Sequence, residues 1–547
     1  MTKPSKISAA LNDPNYISLL NRLKEILPQD KIIDDPLELK RAETTTFLIE
    51  NKILCILKVT NVEQIQKILI LANELNLHIF PISRGKNWGY GSKAPTRSGS
   101  ILLDLGEMNE ILEFNEEFGY IRVEPGVTIK QIHDYLKLKS STWINPPGGM
   151  TPEASLIGNV MERGFAAGKA GDRINQVTDY EVVLPTGEKI STGLSRFSGA
   201  HAKNLYRQGL GPNLDGLFSQ SNLGIVTKIT LWLTKKPGRY FQTSLASFSS
   251  DSQLISAINE LRDLAQNGTV GFPFAMWNSL KLAAIRYGYP WQDMNGETPL
   301  RKDIERKMLA EKFKLPVDEW NLQLGLYSSS FLEAFAKRIT LFQKLRKKTA
   351  RLAVFGRIEK VLTKIVRLPF LFFTGQDPVE AFELGFEKSS YFGTLSTKGV
   401  TPIYWRKKMD KVPENADPDR DKCGLIWCTS IIPFTGSHVK IVLDTIRNTM
   451  SDFGFELMVT LVFLSDRQLV SLAAIKYDRE IENEDKKALE CYKILQKKLI
   501  GVGYPPYRLG LIGEEFFPSD DSYSEILNKI KNALDPKGVL APGRYDG

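Results

Sequence analysis

Apolar residues recur along this chain in two rhythms. Runs suited to extended backbone stand at 53–59, 100–105, 120–123, 179–184 and 225–233, and a shorter one at 77–80. Between them, 62–75 and 129–136 carry apolar residues at helical spacing, as do Ile17, Leu19, Leu20, Leu23, Ile26 and Leu27 in a lead-in over 1–45. Strands alternating with helices over 46–236 predict α+β or α/β layers. From Lys235-Lys236-Pro237-Gly238 the pattern shifts to aromatic residues and longer helical runs such as 333–346, interrupted by a polar, turn-rich insert at 410–419. Tight turns return from about residue 500.

Composition changes this picture little. The chain has 547 residues, enough for two or three domains, with 42% hydrophobic and 25% charged residues and a formal net charge of +9. Because basic and acidic residues are interspersed, a nucleic-acid role gains no support, while an anionic dinucleotide or phenolate suits the mild excess. Cys55, Cys423, Cys428 and Cys491 give one x4 pair and no second pair or nearby histidine, so reduced thiols are expected rather than a disulfide framework or a metal site. The N-terminal residues lack an apolar signal core, and no apolar run reaches the roughly 20 residues of a membrane span, which sets a cytoplasmic expectation. The stretch 344–367, from Lys344 to Arg367, carries nine Lys or Arg against one Glu, interleaved with apolar residues. It reads either as a solvated helix face or as a basic amphipathic helix in weak contact with a membrane surface.

The richest segment follows the 77–80 run: Pro81, Ile82, Ser83, Arg84, Gly85, Lys86, Asn87, Trp88, Gly89, Tyr90 and Gly91. Three glycines in seven positions let the backbone turn sharply and bring amide N–H groups close to an anion, and Ser83, Arg84, Lys86 and Asn87 add side-chain donors. The wording is neither a Walker loop nor a Rossmann fingerprint, so the pyrophosphate nest it predicts belongs to another fold.

This loop, with Pro125-Gly126-Val127, Ser155-Leu156-Ile157-Gly158-Asn159, the 179–187 run, Gly224-Ile225-Val226 within 216–227, and Arg544 near the C-terminus, resembles in its order the FAD-linked oxidoreductases of the vanillyl-alcohol oxidase and 4-cresol methylhydroxylase family. The resemblance implies an α+β protein with a two-subdomain FAD-binding fold, residues 1–236 with 500–547, and an α+β cap over the flavin, residues 237–499. It also implies that Tyr90, Tyr507 and Arg508 hold a phenolic oxygen. Two hydroxyls and a permanently charged guanidinium favour the phenolate. The ring then weakens the para-benzylic C–H bond, hydride leaves to the flavin, and water adds to the p-quinone methide to give an alcohol or, from an alcohol, an aldehyde. A homodimer, and oxygen or a redox protein as electron acceptor, are further implications.

The chain departs from the family on the para side. Met150 stands where the oxidase branch has an aspartate near flavin N5, and Glu153 is the nearby acid that could serve as base. Leu425 stands at a flavin-tethering histidine, so dissociable FAD is expected, with Tyr404 as the alternative tether. The family's paired histidines are replaced after Arg467 by Gln468-Leu469-Val470-Ser471. Two other readings stay open: an FAD-linked oxidase or dehydrogenase of a hydroxy acid or sugar, and a flavin-binding scaffold without catalysis.

Overall fold

The computed structural model describes residues 14–546 apart from 150, 170, 313–317, 358, 360–382, 384, 385, 387, 388, 397, 398 and 520. Strands β1 (Ile32–Ile33), β2 (Ile53–Lys58), β3 (Ile79–Ile82) and β4 (Ser100–Asp104) form a first sheet in the order β1-β2-β4-β3, with β4 parallel to both neighbours. The helix Val62–Leu75 makes the crossover from β2 towards β3. Asn61 caps its start and Asn76, in the left-handed region, ends it. Its residues Ile65, Ile68, Leu69 and Ala72 share one face, and their cluster with Leu57, Ile101 and Leu103 is the core of this layer.

A second, antiparallel sheet contains β5 (Ile111–Asn115), β6 (Tyr120–Val123), β8 (Val177–Val183), β9 (Lys189–Ser191) and β10 (Ile225–Trp232), ordered β5-β6-β10-β8-β9. A short ribbon of β7 (Trp143–Ile144) and β11 (Thr234–Lys235) lies in the same half of the chain. The helix Ile129–Leu138 opens with a capping box between Thr128 and Gln131 and buries Ile129, Ile132 and Leu136 in this sheet's core. The chain returns at its end: Ile79 N donates to Val539 O at 2.9 Å and Ala541 N to Ile79 O at 2.8 Å.

The third sheet has seven strands: β12 (Gln242–Phe248), β13 (Phe274–Asn278), β14 (Trp320–Leu326), β15 (Arg351–Phe355), β16 (Cys423–Pro433), β17 (Val459–Phe463) and β18 (Gln468–Asp478), in the order β15-β12-β14-β13-β17-β18-β16. One face packs Met276, Leu322, Leu461, Ile475 and Ile426 into the largest core cluster, together with Leu261, Leu443 and Leu495 of the helices Asp251–Gln266, Gly436–Asp452 and Glu484–Gly501. The alternation of strand side chains then directs Trp277, Gln323, Thr460, Leu472, Lys476 and Trp427 to the opposite face, which lines a cavity.

Two sequence expectations change. The basic stretch from Lys344 is not one amphipathic helix: the helix Phe331–Leu345 stops, and Arg351–Phe355 pairs with β12 as the edge strand. The β-prone Arg-Leu-Ala-Val-Phe run wins over charge spacing there, and Lys360, Lys364 and Arg367 lie outside the described residues. The lead-in over 1–45 is two helices, Pro14–Lys24 and Pro36–Glu43, split around Pro28 and β1, and residues 1–13 lie outside the described residues. Among the described residues no helix is long and apolar enough to cross a membrane.

Candidate active site

A cavity of about 860 Å³ is bounded by the glycine-rich loop after β3, the start of β10, the open face of the seven-stranded sheet and the stretch around Tyr507. The loop turns as its glycines allow: Gly85, Gly89 and Gly91 take φ of +62°, +81° and +127°. A Cβ on Gly89 would lie 2.3 Å from the Trp427 ring, so glycine is also required there by close packing.

The loop's side chains are less free than their chemistry implies. Lys86 pairs with Asp417 at 3.0 Å, Asn87 accepts from Arg508 at 2.7 Å, and Trp88 donates its indole N–H to Asp419 at 3.1 Å. Ser92 also donates to Asp419, at 2.8 Å. Burial, with Asp417 nearby, pushes Asp419 up to about 7. The polar insert is thus a buttress for the loop, and Lys86 lines the cavity while paired to that buttress. Ser83, Arg84, Lys86 and Asn87 all line the cavity with the loop's backbone amides.

Of the residues expected to hold a cofactor, Pro81, Ile82, Ser83, Arg84, Gly85, Lys86, Asn87, Trp88, Pro125, Ser155, Gly158, Asn159, Gly224, Ile225, Val226 and Arg544 line the cavity. Gly89, Gly126, Val127 and Leu156 do not, and serve the shape of the wall. A Cβ on Gly126 would sit 2.3 Å from Gly106 O, and Val127 and Leu156 are fully buried in the second core. The volume, the glycine cradle and the apolar wall of Ile157, Ile225 and Val226 fit a dinucleotide flavin such as FAD.

Tyr90, Tyr507 and Arg508 come together although far apart in sequence. The Arg508 guanidinium lies over the Tyr90 ring, 4.0 Å from its centroid. Tyr90 and Tyr507 share a side-chain hydrogen bond, and Arg508 bonds to Tyr507. Burial raises both phenols above their ordinary value, against the pull of Arg508.

The residue that sequence reasoning missed is Glu162. It accepts from Arg508 Nε at 2.9 Å, from Arg544 at 2.9 Å and from the Tyr545 hydroxyl at 3.1 Å. Burial would raise it, but the two guanidiniums hold it down at about 2. Burial opposes the charge on Arg508, yet Glu162 holds it above its usual range. Arg544 therefore belongs to this charged cluster. Two cations against one carboxylate leave one net positive charge beside two hydroxyls. No spacing motif marks Glu162, which caps the six-residue helix Leu156–Met161.

Other expectations are corrected. Glu153 is exposed, does not line the cavity, and lies close enough to Lys130 to act on it electrostatically. Among the described residues Glu162 is the one carboxylate of the lining. The Tyr404 hydroxyl donates to Asp421 at 2.6 Å, and Tyr404 is not part of the lining, whereas Leu425 is. Met150 lies outside the described residues. Two lysines without motif support, Lys281 and Lys476, line the cavity beside Trp427 and Leu425.

A family model for an FAD binding domain matches residues 53–193. The chain is 36% identical to the 1'-carboxy-chondrochloren decarboxylase of Chondromyces crocatus, covering 96% of each. It is 26% identical to the flavoprotein subunit of 4-cresol dehydrogenase [hydroxylating] of Pseudomonas putida, covering 89% of this chain and 86% of the relative. Its fold matches a crystal structure of p-cresol methylhydroxylase with substrate bound at a TM-score of 0.85 and 22% identity, over 98% of this chain and 97% of the other.

Proposed function

The chain belongs to the vanillyl-alcohol oxidase and 4-cresol methylhydroxylase family of FAD-linked oxidoreductases, and from that premise we propose that it oxidises a 4-substituted phenol at the carbon attached para to the hydroxyl. The observation that carries this reading is the convergence of Tyr90, Tyr507 and Arg508 on one cavity wall with a net positive charge left over by Glu162. A phenol oxygen placed there loses its proton to solvent and accepts from one tyrosine hydroxyl, itself bonded to the other, and from a guanidinium. The phenolate feeds electron density into the para carbon, so the benzylic hydrogen leaves with its electron pair and a p-quinone methide remains. FAD, when bound, supplies the two-electron acceptor. We assign residues 1–236 with 500–547 to FAD binding and 237–499 to the cap.

A second reading concerns the fate of that quinone methide. Addition of water is helped by a base, but Glu162 is committed to two arginines and Glu153 faces solvent. If the carbon next to the benzylic one carries a carboxylate, the C–CO₂ bond can break instead. Its electron pair becomes the new C=C bond, the ring returns to phenolate, and CO₂ leaves with no base required. The decarboxylase name of the Chondromyces crocatus relative supports this outcome.

Anaerobic addition of a panel of 4-alkylphenols and 4-hydroxyphenyl carboxylic acids, followed by the visible flavin band and by product mass, tests both readings. Bleaching with an alcohol product supports hydroxylation, and bleaching with CO₂ and an alkene supports decarboxylation. A flavin that stays oxidised with every phenol refutes the proposal and favours the hydroxy-acid or scaffold readings. The dehydrogenase name of the Pseudomonas putida relative favours an acceptor such as a redox protein over oxygen. Stopped-flow reoxidation with oxygen decides between them.

A further inference from the structure

The open face of the seven-stranded sheet carries a second cationic feature. Lys476 lies on β18 opposite Leu425 of β16, and the alternation that buries Ile475 and Tyr477 against the helices turns Lys476 into the cavity. It is 3% exposed, and its ammonium nitrogen has no hydrogen-bond partner among the described residues. Lys281, on the short helix Ser279–Ala283 after β13, faces the same space, with its nitrogen 4.6 Å from the centroid of the Trp427 ring. The acid nearest in effect, Glu456, is already bonded to Arg406 at 2.7 and 3.0 Å and to the Leu300 amide at 3.0 Å.

An unpaired buried ammonium such as that of Lys476 is expensive, and a second cation nearby makes it more so. Burial lowers Lys281 to about 8, and burial together with Lys281 depresses Lys476 well below its usual value. An anion entering between them would restore both charges and receive up to six N–H donors. The pair stands on other elements than the phenol anchor. Thr429 of β16 donates to Arg508 O at 3.2 Å, while Leu425 on the same strand faces Lys476. Four residues of strand span about 13 Å at roughly 3.3 Å each. One cavity thus carries a guanidinium over the Tyr90 ring and two ammonium groups on other walls.

We propose that Lys281 and Lys476 form a carboxylate-binding subsite, so that the substrate is a phenol whose para side chain carries a carboxylate. This rests on the phenol reading above for the identity of the other end, and on the lysine pair alone for the acid.

The test uses the FAD-loaded full chain and four probes: 3-(4-hydroxyphenyl)propanoate, its neutral amide, 3-phenylpropanoate and 4-ethylphenol. Equilibrium binding is read by calorimetry and by perturbation of the flavin spectrum, beside turnover. The acids should bind more tightly than their neutral counterparts, and Lys476→Met or Lys281→Met should weaken only the acids, by about ten- to a hundredfold, as for losing a charged hydrogen bond. Lys476→Arg should restore part of the preference if Lys476→Met lowers expression. Tight binding of 3-phenylpropanoate with no turnover of any phenol sinks the phenol reading and keeps the subsite. Equal affinity for acid and amide, or lysine variants that weaken FAD retention and all four probes alike, overturns the subsite.

Discussion

Replacing Arg508 by methionine removes the guanidinium while keeping much of its length and apolar contact. In the intact cluster Arg508 and Arg544 face Glu162, leaving one positive charge. In the variant Arg544 and Glu162 balance, and Glu162 keeps Arg544 and Tyr545 as partners, so no carboxylate is stranded. The loss to a bound phenolate has two overlapping parts. A charged hydrogen bond contributes about 1.5–3 kcal/mol. A unit charge about 4 Å away contributes about 4 kcal/mol at an effective dielectric of about 20. Taken together rather than summed, about 3 kcal/mol is expected, which raises the pKa of a bound phenol by about 2 units at 1.36 kcal/mol each. Fluorine NMR of a bound 4-alkyl-2-fluorophenol measures that pKa directly, and kcat/KM should fall by about a hundredfold or more. A bound phenol that ionises at the same pH in Arg508→Met as in the parent, with unchanged kcat/KM, would show that this guanidinium does not stabilise the reacting anion.

Tyr90→Phe and Tyr507→Phe should each lower kcat/KM about tenfold, and because their hydroxyls share a hydrogen bond the double variant should lose less than the product of the two; strict multiplicativity in a double-mutant cycle contradicts the shared bond. Asp419 is held at about 7 in the fold against 3.8 for the free group, so the folded state binds more protons between those values and stability falls as pH rises through that window, then levels off. Denaturant unfolding of Asp419→Asn against the parent should show this relative loss, on the order of 4 kcal/mol by pH 8, and a difference independent of pH would contradict it. Gly89→Ala places a methyl group against Trp427 at positive φ and should lower Tm and FAD retention, by about 1–3 kcal/mol of stability; thermal melts and filter retention of flavin check it.

Much of the nucleotide-binding half is legible from pattern alone. The runs at 53–59, 100–105 and 225–233 appear as β2, β4 and β10 within a residue or two, and the 62–75 helix is matched at both ends because Asn61 and Asn76 punctuate it. Tyr90, Tyr507 and Arg508 are legible through family wording, since no local rule joins residues so far apart in sequence. Glu162 is not legible, because a carboxylate acquires its role from two guanidiniums that only tertiary packing delivers. Glu153 misleads for the complementary reason: the loop places it near the site in sequence, and the backbone turns it outward. Lys476 is half legible. Period-2 alternation through Ile475 and Tyr477 puts it on the other face of β18, but which face borders a cavity depends on how the sheet packs.

The charged cluster draws on stretches that fold into different layers: the loop after β3, the turn at Glu162, the segment at Arg508 and the returning residues Val539–Tyr545. Whatever anion it grips acts as a clasp between these pieces. Occupancy by a phenol would therefore be felt as resistance to unravelling far from the ring that is bound, most of all where the returning segment lies along Ile79.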